Sequence, residues 1–141
     1  MLLMRNMDAC RTACPILDDE QIEAYLSRGD VPIGAAYIEV PPTKVVRKRG
    51  FWLRPHHRMH HAAPLFLIST DVYAMNEDDH AERRDQIYCY RSSGADTAYL
   101  GRVELDERGR RTLTPLMYGL HDPFEVEAAG LTYVGRVISA L

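Results

Sequence analysis

The sequence predicts a mostly β fold, a compact body of short, mainly antiparallel strands forming a partial barrel, with a short helical N-terminal arm. Three features lead there. About seven short runs of apolar, β-branched or alternating residues recur between Ile33 and Ile138. Segments rich in Gly, Pro, Ser and Asp separate them, and these residue types make the turns between strands. Only residues 18–28 carry apolar side chains at the spacing of a helix. Strands that do not alternate with helices build antiparallel β architectures rather than a parallel α/β sheet.

Residues 1–17 show no clear period and hold Cys10, Cys14 and Pro15. The helix over 18–28 takes Asp18 or Asp19 as its cap, has Glu20 in its first turn, and places Ile22, Tyr25 and Leu26 on one face. Gly29 ends it, because glycine adopts the left-handed conformation of a helix C-terminus at little cost. Ile33–Val40 reads as a strand broken by Pro41-Pro42, since proline cannot donate to a ladder. Lys44–Arg49 alternates up to Gly50, and Phe51–Leu53 follows before Pro55. Leu65–Ile68 is continuously apolar, the pattern of a strand buried on both faces. Asn76–Asp85 is polar and charged and reads as a surface loop. Gln86–Arg91 alternates, with Ile87 and Cys89 on one face and Tyr88 and Tyr90 on the other. Ser92–Asp96 is a turn, and Ala98–Leu105 and Arg111–Leu116 flank Asp106–Gly109 as a hairpin. Leu131–Ile138 is the closing strand. Residues 1–30 thus read as an arm and 31–141 as the β domain. One helix in the arm does not make a helix-turn-helix.

The 141 residues, of 16.1 kDa, fit one domain with a sizeable core. No apolar run approaches the roughly 18–20 residues that cross a bilayer. The stretch from Met1 turns polar at Arg5, too soon for a signal peptide, so a cytoplasmic protein with no membrane partner is expected. A net charge of −3 and a pI near 6.0 argue against direct nucleic-acid binding. Three cysteines, Cys10, Cys14 and Cys89, make no disulfide framework. Of the 17 basic residues only Lys44 and Lys48 are lysines, so a catalytic lysine has two candidates.

The densest chemical feature is His56, His57, His60 and His61, interrupted by Arg58 and Met59. Four imidazoles in so short a stretch suit zinc, copper or nickel, and a small protein binding a divalent metal there is one functional reading. Pro55 and Pro64 bracket a segment too short for a stable helix, so the alternative is a solvated loop between strands. Cys10 and Cys14 fit half a zinc site or ordinary arm residues, and Cys89 between two tyrosines reads as a buried strand residue. A serine hydrolase could be assembled from Ser69, His80 or His121, and Asp71, but no Gly-x-Ser-x-Gly elbow frames a serine. Lys44, Arg47, Lys48, Arg49 and Arg54 cluster around Gly50-Phe51-Trp52, as a site for an acidic partner or as charges guarding a strand edge.

Several segments in order resemble the LexA-type self-cleaving peptidase domain shared by LexA, UmuD and phage-repressor C-terminal domains. Arg28-Gly29 and the run from Val31 to Glu39 look like the cleavage-site region and its following strand. Phe51–Arg54 looks like the strand leading to the catalytic serine, and His56-His57-Arg58-Met59 falls where the family has Gly-Asp-Ser-Met. Leu65–Ser69 looks like the next strand, and Asp85-Gln86-Ile87-Tyr88 resembles the family's Gly-Asp-Ile-Val. Tyr99–Val103 sits where the family has Val-Lys-Arg-Leu. Leu113-Thr114-Pro115 and Pro123–Val126 resemble the hairpin that follows, and Tyr133–Ile138 the closing strand. The resemblance covers roughly residues 28–141.

That family needs a serine nucleophile and a neutral lysine as its base, and burial is what lowers a lysine pKa toward neutrality. By the resemblance, Arg58 stands at the serine position and Gly101 at the lysine position. A shift of one brings Leu100 or Arg102, and arginine does not deprotonate. The scissile pair, Ala-Gly or Cys-Gly in the family, would be Arg28-Gly29. The resemblance therefore implies a non-catalytic relative, a regulatory or dimerisation module without a cofactor. It implies a homodimer with its edge near Tyr133, Val134 and Val137. The partners it implies are a recombinase filament, an error-prone polymerase or a DNA-binding regulator, in a DNA-damage response or in transcription regulation.

Overall fold

The structure, a computed structural model, describes residues 13–46, 49–55, 64–70, 86–92, 96–116 and 122–141. Its strands are β1 (Ala13–Asp18), β2 (Tyr37–Glu39), β3 (Gly50–Arg54), β4 (Phe66–Ser69), β5 (Tyr88–Ser92), β6 (Thr97–Leu105), β7 (Arg111–Pro115), β8 (Phe124–Glu125) and β9 (Leu131–Ala140). Among the described residues one helix, α1 (Ile22–Arg28), follows a 3-10 turn at Asp19–Gln21. The fold is mostly β, and the nine strands form one sheet in the order β2-β1-β3-β4-β9-β5-β6-β7-β8. The β1–β3 pair is parallel, and the other pairings are antiparallel.

The helix forms where its apolar spacing predicts, and both ends are held. The Asp18 N–H donates to Gln21 Oε1 at 2.8 Å at the entrance. Gly29, at φ 74°, takes the left-handed exit conformation, and its N–H returns to the Tyr25 carbonyl at 2.9 Å. The Arg49 guanidinium then donates to the Tyr25 and Leu26 carbonyls at 2.6 and 3.2 Å. A cation at that end also opposes the partial negative charge of the helix dipole. Tyr25 completes the joint, its hydroxyl donating to the Gly50 carbonyl at 2.7 Å.

Apolar residues lie on both faces of the central strands. Leu17, Ile22, Tyr25, Phe51, Leu53 and Ile68 belong to one buried cluster, joined by Cys89 and Leu100. Cys14, Val46, Trp52 and Leu67 form a second, and Tyr88, Tyr90, Val103 and Leu113 a third. Successive residues of a strand face opposite sides, which is why Phe51 and Trp52, or Cys89 and Tyr90, fall in different clusters. Phe66–Ser69 is buried throughout, as its unbroken apolar run predicts.

Four expectations need correction. The aperiodic stretch before residue 18 contains β1, and residues 13–28 of the stretch read as an arm contribute a strand of the sheet and core side chains. β1 lies between β2 and β3, and Leu17, Ile22 and Tyr25 are core residues. The strand expected over Ile33–Val40 is only Tyr37–Glu39, because Gly34, at φ 78°, turns the chain just before it. Residues 44–46 of the weakly alternating stretch are not a strand, and a turn closes there through the Lys44 N–H to the Pro41 carbonyl at 2.9 Å. The closing strand β9 is not an edge. It pairs with β5 over Leu131–Arg136 and with β4 over Arg136–Ala140.

Candidate functional site

Position 101 is the one that the resemblance compares with a catalytic lysine. Gly101 lies in the middle of β6, opposite Tyr88 of β5 and Pro115 of β7. A Cβ built on it would sit 2.1 Å from the Thr114 carbonyl oxygen and 2.9 Å from that carbonyl carbon. Both atoms are backbone of a paired strand, so they cannot swing aside as a side-chain tip would. The site therefore excludes any side chain, and lysine with it. Arg58, the other position compared with the dyad, lies outside the described residues, as do His56, His57, His60 and His61.

Arg28 and Gly29, compared with the cleavage site, end a helix. Their shared peptide unit is in the C-terminal turn of α1, with Arg49 bonded to the carbonyls just before it. Arg28 itself pairs with Asp30 at 2.9 Å in an exposed contact. A helical end is not the extended conformation in which a scissile peptide pairs with a peptidase.

Only part of the remaining predicted chemistry falls among the described residues. Ser69 has no exposed surface, so it cannot act as an accessible nucleophile, and His80, His121 and Asp71 lie outside the described residues. Cys14 and Cys89 are buried, and burial pushes the Cys89 thiol pKa well up, away from the reactive thiolate. Cys10 lies outside the described residues. The described members of the basic cluster have separate settings. Arg49 caps α1, Arg54 stands 3.8 Å from Asp18, and Lys44 sits on the exposed loop after Pro41-Pro42. Arg47 and Lys48 are outside the described residues.

Of the residues expected at a dimer edge, Val134 is buried, and Tyr133 and Val137 are half-buried. Val134 is 4% exposed and packs in the first cluster, with Val137 against it. Tyr133 packs its ring on Tyr90, with centroids 5.5 Å apart and the planes at 72°. The strands at the two ends of the sheet are β2 and β8.

The residue reading missed a cleft. An opening of about 410 Å³ lies between the loop at Thr43–Val45, the start of β5 at Gln86-Ile87, and Arg136–Ile138 of β9. Lys44 and Arg136 both line it. Lys44 was visible in the sequence as one of five clustered cations, whereas Arg136 gave no signal of its own. Comparisons of the chain with protein-family models, with curated proteins and with solved structures found no match.

Proposed function

We propose that this chain is a non-catalytic module of the LexA/UmuD kind that acts by binding other proteins. The blocked position 101 carries this reading. Where a self-cleaving peptidase needs a lysine base, the Thr114 carbonyl occupies the space of the first side-chain carbon. The helical setting of Arg28-Gly29 supports the same reading, since a bond to be cleaved must leave that turn. The role is regulation or dimerisation, and the candidate partners are a second copy, a recombinase filament, an error-prone polymerase or a DNA-binding regulator. A dimer formed by strand pairing would find the end strands β2 and β8 open to it. Prolonged incubation of the pure chain at alkaline pH, where a lysine base is neutral, tests the reading. The intact mass is expected to persist, and accumulation of a species trimmed near residue 29 would overturn it.

A further inference from the structure

β2 ends the sheet and, among the described residues, pairs with β1 alone. Its register with β1 fixes where its backbone groups point. The Ile16 N–H donates to the Ala36 carbonyl at 2.9 Å, and Cys14 lies opposite Ile38. Backbone groups alternate sides along an antiparallel strand, so those of Ala36 and Ile38 point to β1 and those of Tyr37 and Glu39 point away from it. The same alternation sets Tyr37 opposite Pro15, which has no N–H to offer. The outer side of β2 meets no other strand among the described residues, and an edge of this kind is a template for pairing with another chain. The side chains around it are apolar and wet. Ile33, Val45 and Tyr37 are the three most exposed large apolar side chains among the described residues, and all lie in β2 or in the chain just before and after it.

A second copy of β2 fits this edge. When Ile38 stands opposite Ile38 of the second copy in antiparallel register, Tyr37 of each copy stands opposite Glu39 of the other. Both residues aim their backbone groups across the junction, so each of the two Tyr37–Glu39 pairs exchanges two main-chain hydrogen bonds, four in all. The side chains match as well. A Tyr37 phenol can donate to a Glu39 carboxylate in a charge-assisted bond, and no like charges are opposed. Antiparallel order also brings the end of β2 that follows Ile33 beside the end of its copy that precedes Val45, so that exposed apolar surface of both copies is covered. We infer that the chain forms a two-fold dimer by antiparallel pairing of β2 with β2, centred on Ile38. The pairing gives the dimerisation reading above a surface, but it rests on the register of β2 and not on position 101. The contact is smaller than a standard protein interface, so the dimer is weak, with a dissociation constant between about 10 μM and 1 mM.

Sedimentation equilibrium of the full chain over a concentration series tests the dimer. The mean mass is expected to rise from 16.1 kDa toward twice that value as the concentration approaches about 1 mM. Two substitutions of the exposed Tyr37 separate this register from any other contact, and both are expected to keep the parental melting temperature. Tyr37→Glu sets a carboxylate against Glu39 of the second copy at both pairs and is expected to weaken the dimer at least about tenfold. Tyr37→Lys sets opposite charges there and is expected to hold or tighten it. In a mixture of differently labelled chains, an isotope-filtered NOE is expected between Tyr37 of one copy and Glu39 of the other. A chain that stays monomeric at about 1 mM would overturn the assignment. A dimer that Tyr37→Glu leaves unchanged, or that both substitutions weaken equally, would overturn it too. Self-cleavage at alkaline pH would leave the dimer standing, so the two proposals fail separately.

Discussion

Gly101 and Tyr90 lie in the same part of the sheet and illustrate opposite packing demands. At Gly101 the strands approach so closely that a β-carbon would overlap the Thr114 carbonyl, so Gly101→Lys must push β6 from β7. Overpacking against backbone of this kind is expected to cost about 3 kcal/mol, read as a lower urea midpoint, without creating self-cleavage. A variant that kept parental stability would show that β7 yields easily, and would remove the main support for the non-catalytic reading. Tyr90 is enclosed instead by side chains, and burial pushes its hydroxyl pKa up to about 12 despite the opposing pull of Arg111. A raised folded-state pKa means that the fold favours the neutral phenol. Its contribution is complete below about pH 10, where the unfolded chain is also neutral, and is lost as the pH rises from there toward about 12. The loss amounts to about 2 kcal/mol across that window. Tyr90→Phe is expected to flatten this part of the stability profile. An unchanged alkaline slope in the variant would assign the loss to other groups.

At the scale of elements, α1 shows how a short helix is fixed by what it touches. Seven residues are too few to be stable alone in water, so its ends and its packed face must hold it. Arg49 does this at the C-terminus, while its own backbone is tied to Thr70 by an N–H donation of 3.1 Å and an accepted hydroxyl bond of 2.6 Å. Arg49→Ala is expected to lower stability by about 1–2 kcal/mol in urea denaturation, with Arg102→Ala, on an exposed position of β6, as the near-neutral comparison. Equal effects of the two substitutions would show that the cap contributes nothing specific. The helix itself was legible because its signals are local: apolar spacing, an acidic start and Gly29. β5, β6, β7 and β9 were legible for the same reason, through alternation and turn residues. β1 was not. Pro15 stands inside it, and proline argues against an interior strand. The ladder explains why it is tolerated. Ala13–Pro15 pair with β2 on one side and Ile16–Asp18 with β3 on the other, so Pro15 sits where pairing passes between neighbours. The cleft was illegible for a different reason, since Lys44 in its loop and Arg136 in β9 line one opening only through the tertiary fold, which no local pattern encodes.

At the scale of the whole molecule, the place of β1 decides where the body begins. A division at residue 30 would leave β3 as an outer strand and β2 without its partner, because β1 is the link between them. It would also remove Leu17, Ile22 and Tyr25 from the cluster that holds Phe51, Leu53 and Ile68. A fully buried large apolar side chain contributes about 1.5–3 kcal/mol, and the loss of three comes close to the 5–15 kcal/mol by which a domain is stable at all. Asp19 adds a long-range tie, its buried carboxylate accepting the Ala98 N–H at the start of β6 at 2.9 Å. Deletion of residues 1–18 removes β1 and Leu17 but leaves α1 in place, which isolates the contribution of the strand. The truncated chain is expected to lose its cooperative thermal transition and the dispersion of its core methyl signals. A deletion variant that melted cooperatively, with the parental methyl spectrum for Phe51 neighbours such as Ile68, would restore residues 1–18 to the role of an arm. In that case the sheet would begin at β3, and an exposed β3 would replace β2 as the pairing edge open to a second copy.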